Sequence, residues 1–249
     1  MNNEPKYALL SDIHGNSWAL TAVLDDIHTK GISDLINLGD IFYGPLDPGG
    51  TVDILNGYRM ETVQGNEDRI IHDTAEEDST NPTLYFVNSQ LSNQEKIWLR
   101  QLPKTKIIDN EIFLCHGTPG DDSKYLLEEI RHNLVTLRSE SEIKALVRNI
   151  DCPVILCGHS HVSKTVYLPD GRMIVNTGSV GLPAYSDNSP QFHRMETGCP
   201  HASYTILKKA KKGWNVEHIQ VVYDWEKAAQ QAEKNHRKDW AQWLRTGRA

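Results

Sequence analysis

The sequence has no long apolar run and no excess of basic residues. No stretch of 18 apolar residues is present, so we expect no membrane span. The first residues lack the charged-then-apolar pattern of a signal peptide, and we therefore expect a cytoplasmic protein. The 26 lysines and arginines face 33 aspartates and glutamates, and this net charge of −7 argues against a surface that coats nucleic acid.

The sequence also lacks paired cysteine motifs. Its four cysteines, Cys115, Cys152, Cys157 and Cys199, have no C-x-x-C spacing. We expect them to be reduced and to behave as small apolar residues, so the sequence predicts no disulfide framework.

The most informative stretch is Cys157-Gly158-His159-Ser160-His161, which follows the apolar run 154–157. Residues two apart in an extended or tightly turned segment project to the same side. His159 and His161 can therefore face one small volume, such as a pair of metal ions. Two hydrogen-bonding histidines on a loop are the alternative when this motif is taken alone.

Polar residues also follow four other strand-like runs. These are Asp12 and His14 after residues 7–11, Asp40 after 35–38, Asn66 after 58–63 and His116 after 112–115. Open α/β sheets place ligand sites at the carboxyl ends of their strands, so we expect these side chains to meet at one edge. Carboxylate, amide and imidazole groups in this ratio suit Mn, Fe, Zn, Co or Ni. Seven such residues are too many for one tetrahedral ion and suit two ions that share a carboxylate.

The remaining pattern alternates helices and strands, without a repeat or a linker, and predicts one domain. Helices are predicted at 18–27 with Ser17 as the cap, through 52–55, at 84–89, at 93–102, over most of 126–148 with a break near Ser139, and at 224–245. Hairpins are predicted over 104–115 and 162–175, a pair of strands at 203–207 and 216–223, and loops at 76–83 and 183–201.

Taken in order, the polar motifs resemble those of the calcineurin-like metallophosphoesterases, in particular the compact bacterial branch. The matching segments are Asp12-Ile13-His14, Gly39-Asp40, Gly65-Asn66-Glu67-Asp68, His116-Gly117 and Gly158-His159-Ser160-His161, within residues 7 to about 181. The resemblance implies an α/β fold, an αββα sandwich in which two mixed β-sheets pack face to face between flanking helices. It places a dinuclear metal site at the strand ends of a single domain, 1–249, with a C-terminal helix at about 224–245.

The resemblance also implies a ligand set. One ion would be held by Asp12, His14, Asp40 and His161, and the other by Asp40, Asn66, His116 and His159, so that Asp40 bridges together with a water or hydroxide. Manganese is our first expectation among Mn, Fe, Zn, Ni and Co. Two cations about 3.5–4 Å apart lower the pKa of a shared water and neutralise phosphoryl oxygens. We therefore expect hydrolysis of phosphodiester or pyrophosphate bonds in a small, nucleotide-type substrate by metal-activated hydroxide.

The candidate catalytic residues are Asp40, Asn66, Glu67 and His116. Many members of the family have Gly-Asn-His in the third motif, with the histidine assigned to protonation of the leaving group. This sequence has Glu67 there. The difference argues against esters whose poor leaving group needs a proton, unless the surroundings of Glu67 raise its pKa.

The candidate substrate-binding residues are Tyr43, Asn66, His193 and Arg194. Tyr43 follows Asp40 by three positions, and packing of its ring under the loop is the alternative. His193 and Arg194 lie in the predicted 183–201 loop, which can either fold over the metal edge or remain a solvated surface loop.

Two other functions stay open at this point. One is a broad-specificity phosphomonoesterase or protein phosphatase. The other is a non-catalytic scaffold for protein partners, similar to the retromer subunit that has this fold, although such a protein is expected to have lost metal ligands. As a partner we expect a small phosphorylated substrate, with neither nucleic acid nor a membrane, and a homo-oligomer stays open.

Overall fold

The structure, a computed structural model, describes residues 4–73 and 81–249. The strands in this part of the chain are β1 (Lys6–Leu10), β2 (Asp34–Asn37), β3 (Met60–Thr62), β4 (Thr105–Ile108), β5 (Ile112–Cys115), β6 (Glu128–Arg131), β7 (Leu134–Leu137), β8 (Val154–Cys157), β9 (Lys164–Tyr167), β10 (Met173–Asn176), β11 (Ala184–Asp187), β12 (His193–Glu196), β13 (Ala202–Lys209) and β14 (Trp214–Val221). The helices are α1 (Ser17–Thr29), α2 (Pro48–Leu55), α3 (Asn66–Asp73), α4 (Pro82–Gln90), α5 (Asn93–Gln101), α6 (Glu140–Leu146), α7 (Trp225–Lys234) and α8 (Lys238–Thr246). None of these helices is long and apolar enough to cross a membrane.

Two five-stranded mixed sheets form the centre of the fold. The first has the order β14-β13-β1-β2-β3, and the second has the order β4-β5-β8-β10-β9. The strands β1, β2 and β3 are parallel to one another, as are β5, β8 and β10. The loops that follow parallel neighbours leave the sheet at the same edge, and this edge collects the polar motifs of the sequence.

Three apolar cores hold the layers together. Between the sheets, Leu9 and Ile36 of the first sheet belong to the same buried cluster as Leu114 and Leu156 of the second. A second core lies between the first sheet and the helices that include α1, α7 and α8. A third lies between the second sheet and α6. The expected αββα sandwich of two face-to-face mixed sheets is therefore confirmed.

The N-cap of α1 lies one residue before the predicted cap, Ser17. Asn16, not Ser17, is its N-cap, since the Asn16 side chain accepts a hydrogen bond from the main-chain nitrogen of Ala19 at 3.1 Å. The Ser17 hydroxyl instead donates to the Asp47 carboxylate, 2.5 Å away. This contact joins α1 to α2, because Asp47 is the N-cap of α2.

The helix predicted over 126–148 is wrong in its first half. Residues 128–137 form the β6–β7 hairpin, and only the part after Ser139 is helical, with Ser139 as the cap of α6. His132 and Asn133 at the turn have φ values of 52° and 63°, and two successive positive φ angles define a hairpin turn. Asp109 and Asn110 make the same kind of turn, and there the predicted hairpin is confirmed.

Two predicted loops also contain regular structure. Within 183–201, β11 and β12 pair as an antiparallel hairpin, with Ser186 opposite Arg194. Residues 76–80 of the loop predicted at 76–83 lie outside the described residues. Its last two residues, 82 and 83, belong to the first turn of α4. Asn81 caps that helix by accepting a hydrogen bond from the main-chain nitrogen of Leu84 at 3.1 Å.

The single C-terminal helix expected at about 224–245 is instead two helices. The chain leaves α7 at Asn235 and turns through His236, whose φ of 60° is incompatible with a continuous helix. The Asn235 side chain donates to the main-chain oxygen of Pro45 at 2.8 Å and fixes the bend. Because of this bend, α8 lies beside the loop that follows β2, and two of its residues reach the site described below.

Candidate metal centre

The backbone at the strand ends has an unusual conformation. Five of the seven predicted ligands have φ between 53° and 66°, namely Asp12, His14, Asp40, His159 and His161. A positive φ at a residue other than glycine costs on the order of 1–3 kcal/mol and persists only where the surrounding structure enforces it. Here the main-chain nitrogen of Asp12 donates to Gly39 at 2.9 Å, and that of His14 donates to Asp40 at 3.1 Å. The loops after β1 and β2 thus hold each other.

The carboxylate of Asp68 fixes the loops after β2 and β3. It accepts hydrogen bonds from the main-chain nitrogens of Asp40 and Ile41, both at 2.8 Å, and of Gly65 at 3.0 Å. The side chain is fully buried, and burial together with the nearby Asp40 charge raises the pKa of Asp68 to about 6. Asp68 therefore orients the backbone around Asp40, as its position in the third motif suggests.

Three of the predicted ligands form a first buried group. The Oδ1 atom of Asp12 lies 3.2 Å from Nε2 of His161 and 3.9 Å from Nε2 of His14. The two imidazole Nε2 atoms are 3.1 Å apart. One donor atom from each of the three residues lies within 4.8 Å of the others, a spacing that a single cation can span.

Asp40, His116 and His159 form a second group with the same spacing. The Oδ2 atom of Asp40 lies 3.1 Å from Nε2 of His116, and the rings of His116 and His159 are 5.1 Å apart. The other oxygen of Asp40, Oδ1, accepts a hydrogen bond from the main-chain nitrogen of Glu67 at 2.9 Å. Asp40 also belongs to a third such group, with His14 and Glu67, so it lies beside both of the others.

Main-chain oxygens determine which nitrogen of three imidazoles faces the site. The Nδ1 atoms of His14, His116 and His161 lie 2.8, 2.7 and 2.7 Å from the carbonyl oxygens of Tyr43, Leu38 and Leu182, respectively. A carbonyl oxygen only accepts, so Nδ1 of each ring carries the proton. In a neutral ring Nε2 then presents a lone pair toward the carboxylates. Such hydrogen bonds orient metal-binding histidines in proteins.

Several atoms of the site are buried without a hydrogen-bond partner. Among the described residues they include Oδ1 of Asp12, Oδ1 of Asn66 and Nε2 of His116. Acceptor atoms that face one another in the interior are strongly unfavourable unless a cation lies between them. The donor set of carboxylate, amide and imidazole therefore fits divalent cations of the transition series.

The electrostatic field at the site also favours positive charge. Burial by itself would lower the pKa of His14, but the carboxylates of Glu67, Asp40 and Asp12 raise it to about 9. The Asp40 and Asp12 charges likewise raise the pKa of His116 to about 10 against the effect of burial. His159 differs, because burial and the neighbouring His116 lower its pKa to about 4 and keep it neutral. Divalent cations would supply the charge that these carboxylates favour.

A cleft of about 350 Å³ opens on this group of residues. His14, Asp40, Asn66, His159 and His161 line one side of it, while Asp12 and His116 are buried behind them. Tyr43 and Glu67 also line the cleft. The Glu67 carboxyl lies 3.2 Å from Nδ1 of His14, and burial raises its pKa to about 7 although His14 opposes the shift.

The structure does not bring His193 and Arg194 to the cleft. On β12 alternate side chains are buried and exposed, so the two residues point in opposite directions. His193 is fully buried, and its Nε2 atom lies 2.9 Å from the Tyr125 hydroxyl. The Arg194 guanidinium lies 5.1 Å from the centroid of the exposed Phe192 ring. The predicted role of these two residues in substrate binding therefore has no geometric support.

Tyr125 and Tyr185 are site residues that sequence reasoning missed. The Tyr125 ring stacks on the His159 imidazole with centroids 4.6 Å apart. The Tyr185 hydroxyl donates to the main-chain oxygen of His159 at 3.0 Å and contacts the Tyr125 hydroxyl at 2.8 Å. His159 is thus oriented by aromatic neighbours, whereas the other three histidines are oriented by carbonyl oxygens. No motif identifies either tyrosine, because only the tertiary fold brings them beside His159.

The end of the chain also contributes to the cleft. Arg237, the N-cap of α8, and Trp240 and Trp243 of α8 line the cleft, and the Trp240 ring meets the His14 imidazole edge to face with centroids 5.7 Å apart. The tryptophans of the last helix are visible in the sequence, where they most simply predict packing, with a wall that stacks on a base as the alternative. Only the bend between α7 and α8 determines that these residues reach the site.

The two-sheet fold and its edge of buried carboxylates and imidazoles define a metallophosphoesterase-type hydrolase. In agreement with this, the sequence profile of the calcineurin-like phosphoesterase superfamily domain matches residues 6–198. The chain belongs to this family, whose members depend on divalent metal ions. The resemblance seen in the motifs is therefore confirmed.

Individual relatives cover nearly the whole chain. The protein MJ0912 of Methanocaldococcus jannaschii is 25% identical in an alignment of 245 residues that covers 94% of each chain. A metallophosphoesterase from Sphaerobacter thermophilus has 23% identity and a TM-score of 0.76, with 98% of this chain and 100% of that chain covered. The protein PH1004 of Pyrococcus horikoshii has 19% identity and a TM-score of 0.75, with 97% and 98% covered. At these identities the two solved structures support the fold alone.

Proposed function

We propose that this hydrolase uses two divalent metal ions to cleave phosphodiester or pyrophosphate bonds in a small, nucleotide-type substrate. The observation that carries the proposal is the pair of buried ligand groups, Asp12-His14-His161 and Asp40-His116-His159, beside a single cleft. Seven donors of this kind suit two ions, each with a position left for substrate or water. Manganese is the first choice among Mn, Fe, Zn, Ni and Co.

Asp40 is the proposed bridging ligand. Its carboxylate is the one that lies with His14 on one side and with His116 and His159 on the other. Asp12, His14 and His161 would complete the first ion's ligands, and Asn66, His116 and His159 would complete those of the second. The Asn66 amide is neutral, so its ion keeps more positive charge toward an anionic phosphoester than it would beside a carboxylate.

When bound, the two cations would neutralise phosphoryl oxygens and activate water for attack on phosphorus. The protein's own contribution is to hold the donor atoms in place before substrate arrives. Asp68 fixes the backbone of Asp40, and the carbonyl oxygens of Leu38, Tyr43 and Leu182 fix three imidazoles. Such preorganisation lowers the reorganisation needed during the reaction.

Glu67 determines the expected substrate preference. Its main-chain nitrogen holds Asp40, while its carboxyl lies beside His14 at the position where many members of the family have a histidine. Burial raises the pKa of Glu67 to about 7, but divalent cations held by Asp40 and His14 would favour the carboxylate and lower this pKa again. Without the family's imidazole, we therefore expect monoesters that need a proton on the leaving group to be poor substrates. Diesters and pyrophosphates with stable leaving groups are then the favoured class.

The test is hydrolysis of bis-p-nitrophenyl phosphate and p-nitrophenyl phosphate by metal-stripped protein to which Mn, Ni, Zn or Mg is returned. We expect activity only with metal, highest with Mn, and a kcat/KM for the diester at least about tenfold above that for the monoester. Faster turnover of the monoester would contradict the role given to Glu67. Absence of turnover with every metal, in protein that binds two equivalents, would contradict the proposed function.

A further inference from the structure

Arg237 places a rigid positive charge in the cleft. It is the only arginine or lysine among the described residues that line it. Its Nε and Nη2 atoms donate to the two oxygens of Asp239 at 2.9 and 2.7 Å, and its Nη1 atom donates to the Thr83 hydroxyl at 2.5 Å. The guanidinium also lies over the Trp240 ring, with Cζ 5.5 Å from the centroid. Contacts on three sides therefore fix its orientation before any ligand binds.

Two N–H groups of this guanidinium remain available to a ligand after its contacts with Asp239 and Thr83 are counted. An arginine has five N–H donors, and the contacts with Asp239 and Thr83 use three of them. One donor remains on each Nη atom, and the side chain keeps 29% of its surface exposed. N–H groups of a guanidinium donate strong, charge-assisted hydrogen bonds to the oxygens of a phosphoryl group.

Arg237 and five of the metal ligands line the same cleft. Trp240 contacts both sets, since its ring centroid lies 5.7 Å from that of the His14 ring and 5.5 Å from Cζ of Arg237. A substrate whose reacting phosphoryl group faces His14 and Asp40 can therefore present a further phosphoryl group to Arg237 within the same cleft.

The other charged groups of the cleft make this cation necessary. Asp187 lines the cleft and belongs to none of the ligand groups, and Glu67 adds a further carboxyl group beside His14, so both add to the negative potential of the cleft. A substrate with one phosphate is neutralised at the metal ligands alone. A substrate with a further phosphate must place that second anion near carboxylates unless a fixed cation receives it.

We propose that Arg237 binds a second phosphoryl group of the substrate, so that the preferred substrates contain a pyrophosphate linkage and not a single phosphodiester. This inference rests on the proposed function only in assigning the reacting phosphoryl group to the metal end of the cleft. It makes Arg237 a specificity-determining residue, because the residue contacts the part of the substrate that does not react.

The test compares two inhibitors that differ by one phosphonate. Methylenediphosphonate and methylphosphonate are assayed against bis-p-nitrophenyl phosphate hydrolysis, and their binding to the Mn-loaded protein is measured by calorimetry. In Arg237→Gln we expect methylenediphosphonate to bind about 10- to 100-fold more weakly, with methylphosphonate affinity unchanged. Chelation of Mn by the diphosphonate affects both proteins equally and cancels in the comparison.

Two further variants separate binding from structure. Arg237→Lys keeps the charge and loses the guanidinium N–H groups, so it should recover part of the diphosphonate affinity. Arg194→Gln, which removes an arginine outside the cleft, should behave as the wild type. Equal weakening of both inhibitors in Arg237→Gln, or no weakening in either Arg237 variant, would overturn the proposal. Calorimetry gives this answer even if bis-p-nitrophenyl phosphate is not hydrolysed, so failure of the proposed function is distinguished from failure of this inference.

Discussion

Replacement of Asp40 by Asn is expected to abolish hydrolysis and to weaken the binding of both metal ions. Asp40 lies beside both ligand groups, and its two oxygens face different neighbours, the His116 imidazole and the Glu67 main-chain nitrogen. An amide keeps the shape but removes the negative charge, and it presents an N–H₂ group to one of these neighbours. We expect kcat to fall by more than about 100-fold, since even partners outside the ligand shell are worth 10- to 100-fold.

The measurement is metal content after dialysis against a fixed Mn concentration, together with kcat for bis-p-nitrophenyl phosphate. Asp187→Asn is the matched control, because Asp187 is a carboxylate of the same cleft that belongs to none of the ligand groups. It should keep both ions and turnover on this one-phosphate substrate. Full activity and two bound ions in Asp40→Asn would show that the bridging role is wrong.

Gly65→Ala should have the second-largest effect, although the added group is a single methyl. A Cβ atom at this position would overlap Oδ1 of Asp40 and lie 2.5 Å from its main-chain nitrogen. Since Asp68 holds the surrounding backbone by three hydrogen bonds, the bridging carboxylate must move. We expect activity to fall by about 100-fold, the loss typical of a displacement near 1 Å, and stability to fall by about 1–3 kcal/mol.

Gly120→Ala is the control for this variant. A Cβ atom on Gly120 would have no heavy atom within 4 Å, so the same chemical change should alter neither activity nor stability by a measurable amount. Urea unfolding of both variants reports the free energy of unfolding, and kcat reports the displacement of Asp40. Wild-type kcat in Gly65→Ala would mean that the bridging carboxylate does not occupy this position.

The position of the site could be predicted from the sequence because each ligand lies within a few residues of an apolar strand. The runs that become β1, β2, β5 and β8 are short and largely buried. Only a few residues separate the end of each strand from the polar residue that follows it, so the strand fixes where that residue lies. Strand ends of parallel neighbours necessarily share an edge. Asp68 was also identifiable, since it lies two residues from Asn66 on the same motif.

The surroundings of the site could not be predicted in the same way. The turn at His132-Asn133 reverses the chain through two positive φ angles, but the residues around it have an equally good helical pattern. His193 was expected in a loop, either over the metal edge or on the solvated surface, and is instead buried against Tyr125, because its strand pairs with β11. Arg237 reaches the cleft only through the bend at His236. Each of these depends on contacts between residues far apart in the chain.

The most direct test of the two-ion centre is a titration of metal-stripped protein with Mn, in which bound metal and bis-p-nitrophenyl phosphate hydrolysis are measured in the same samples. We predict saturation at two ions per chain, with activity that rises mainly as the second ion binds, since both ligand groups face the substrate. Saturation at one ion with full activity, or activity that persists in the stripped protein, would contradict the assignment of the seven residues to a dinuclear centre.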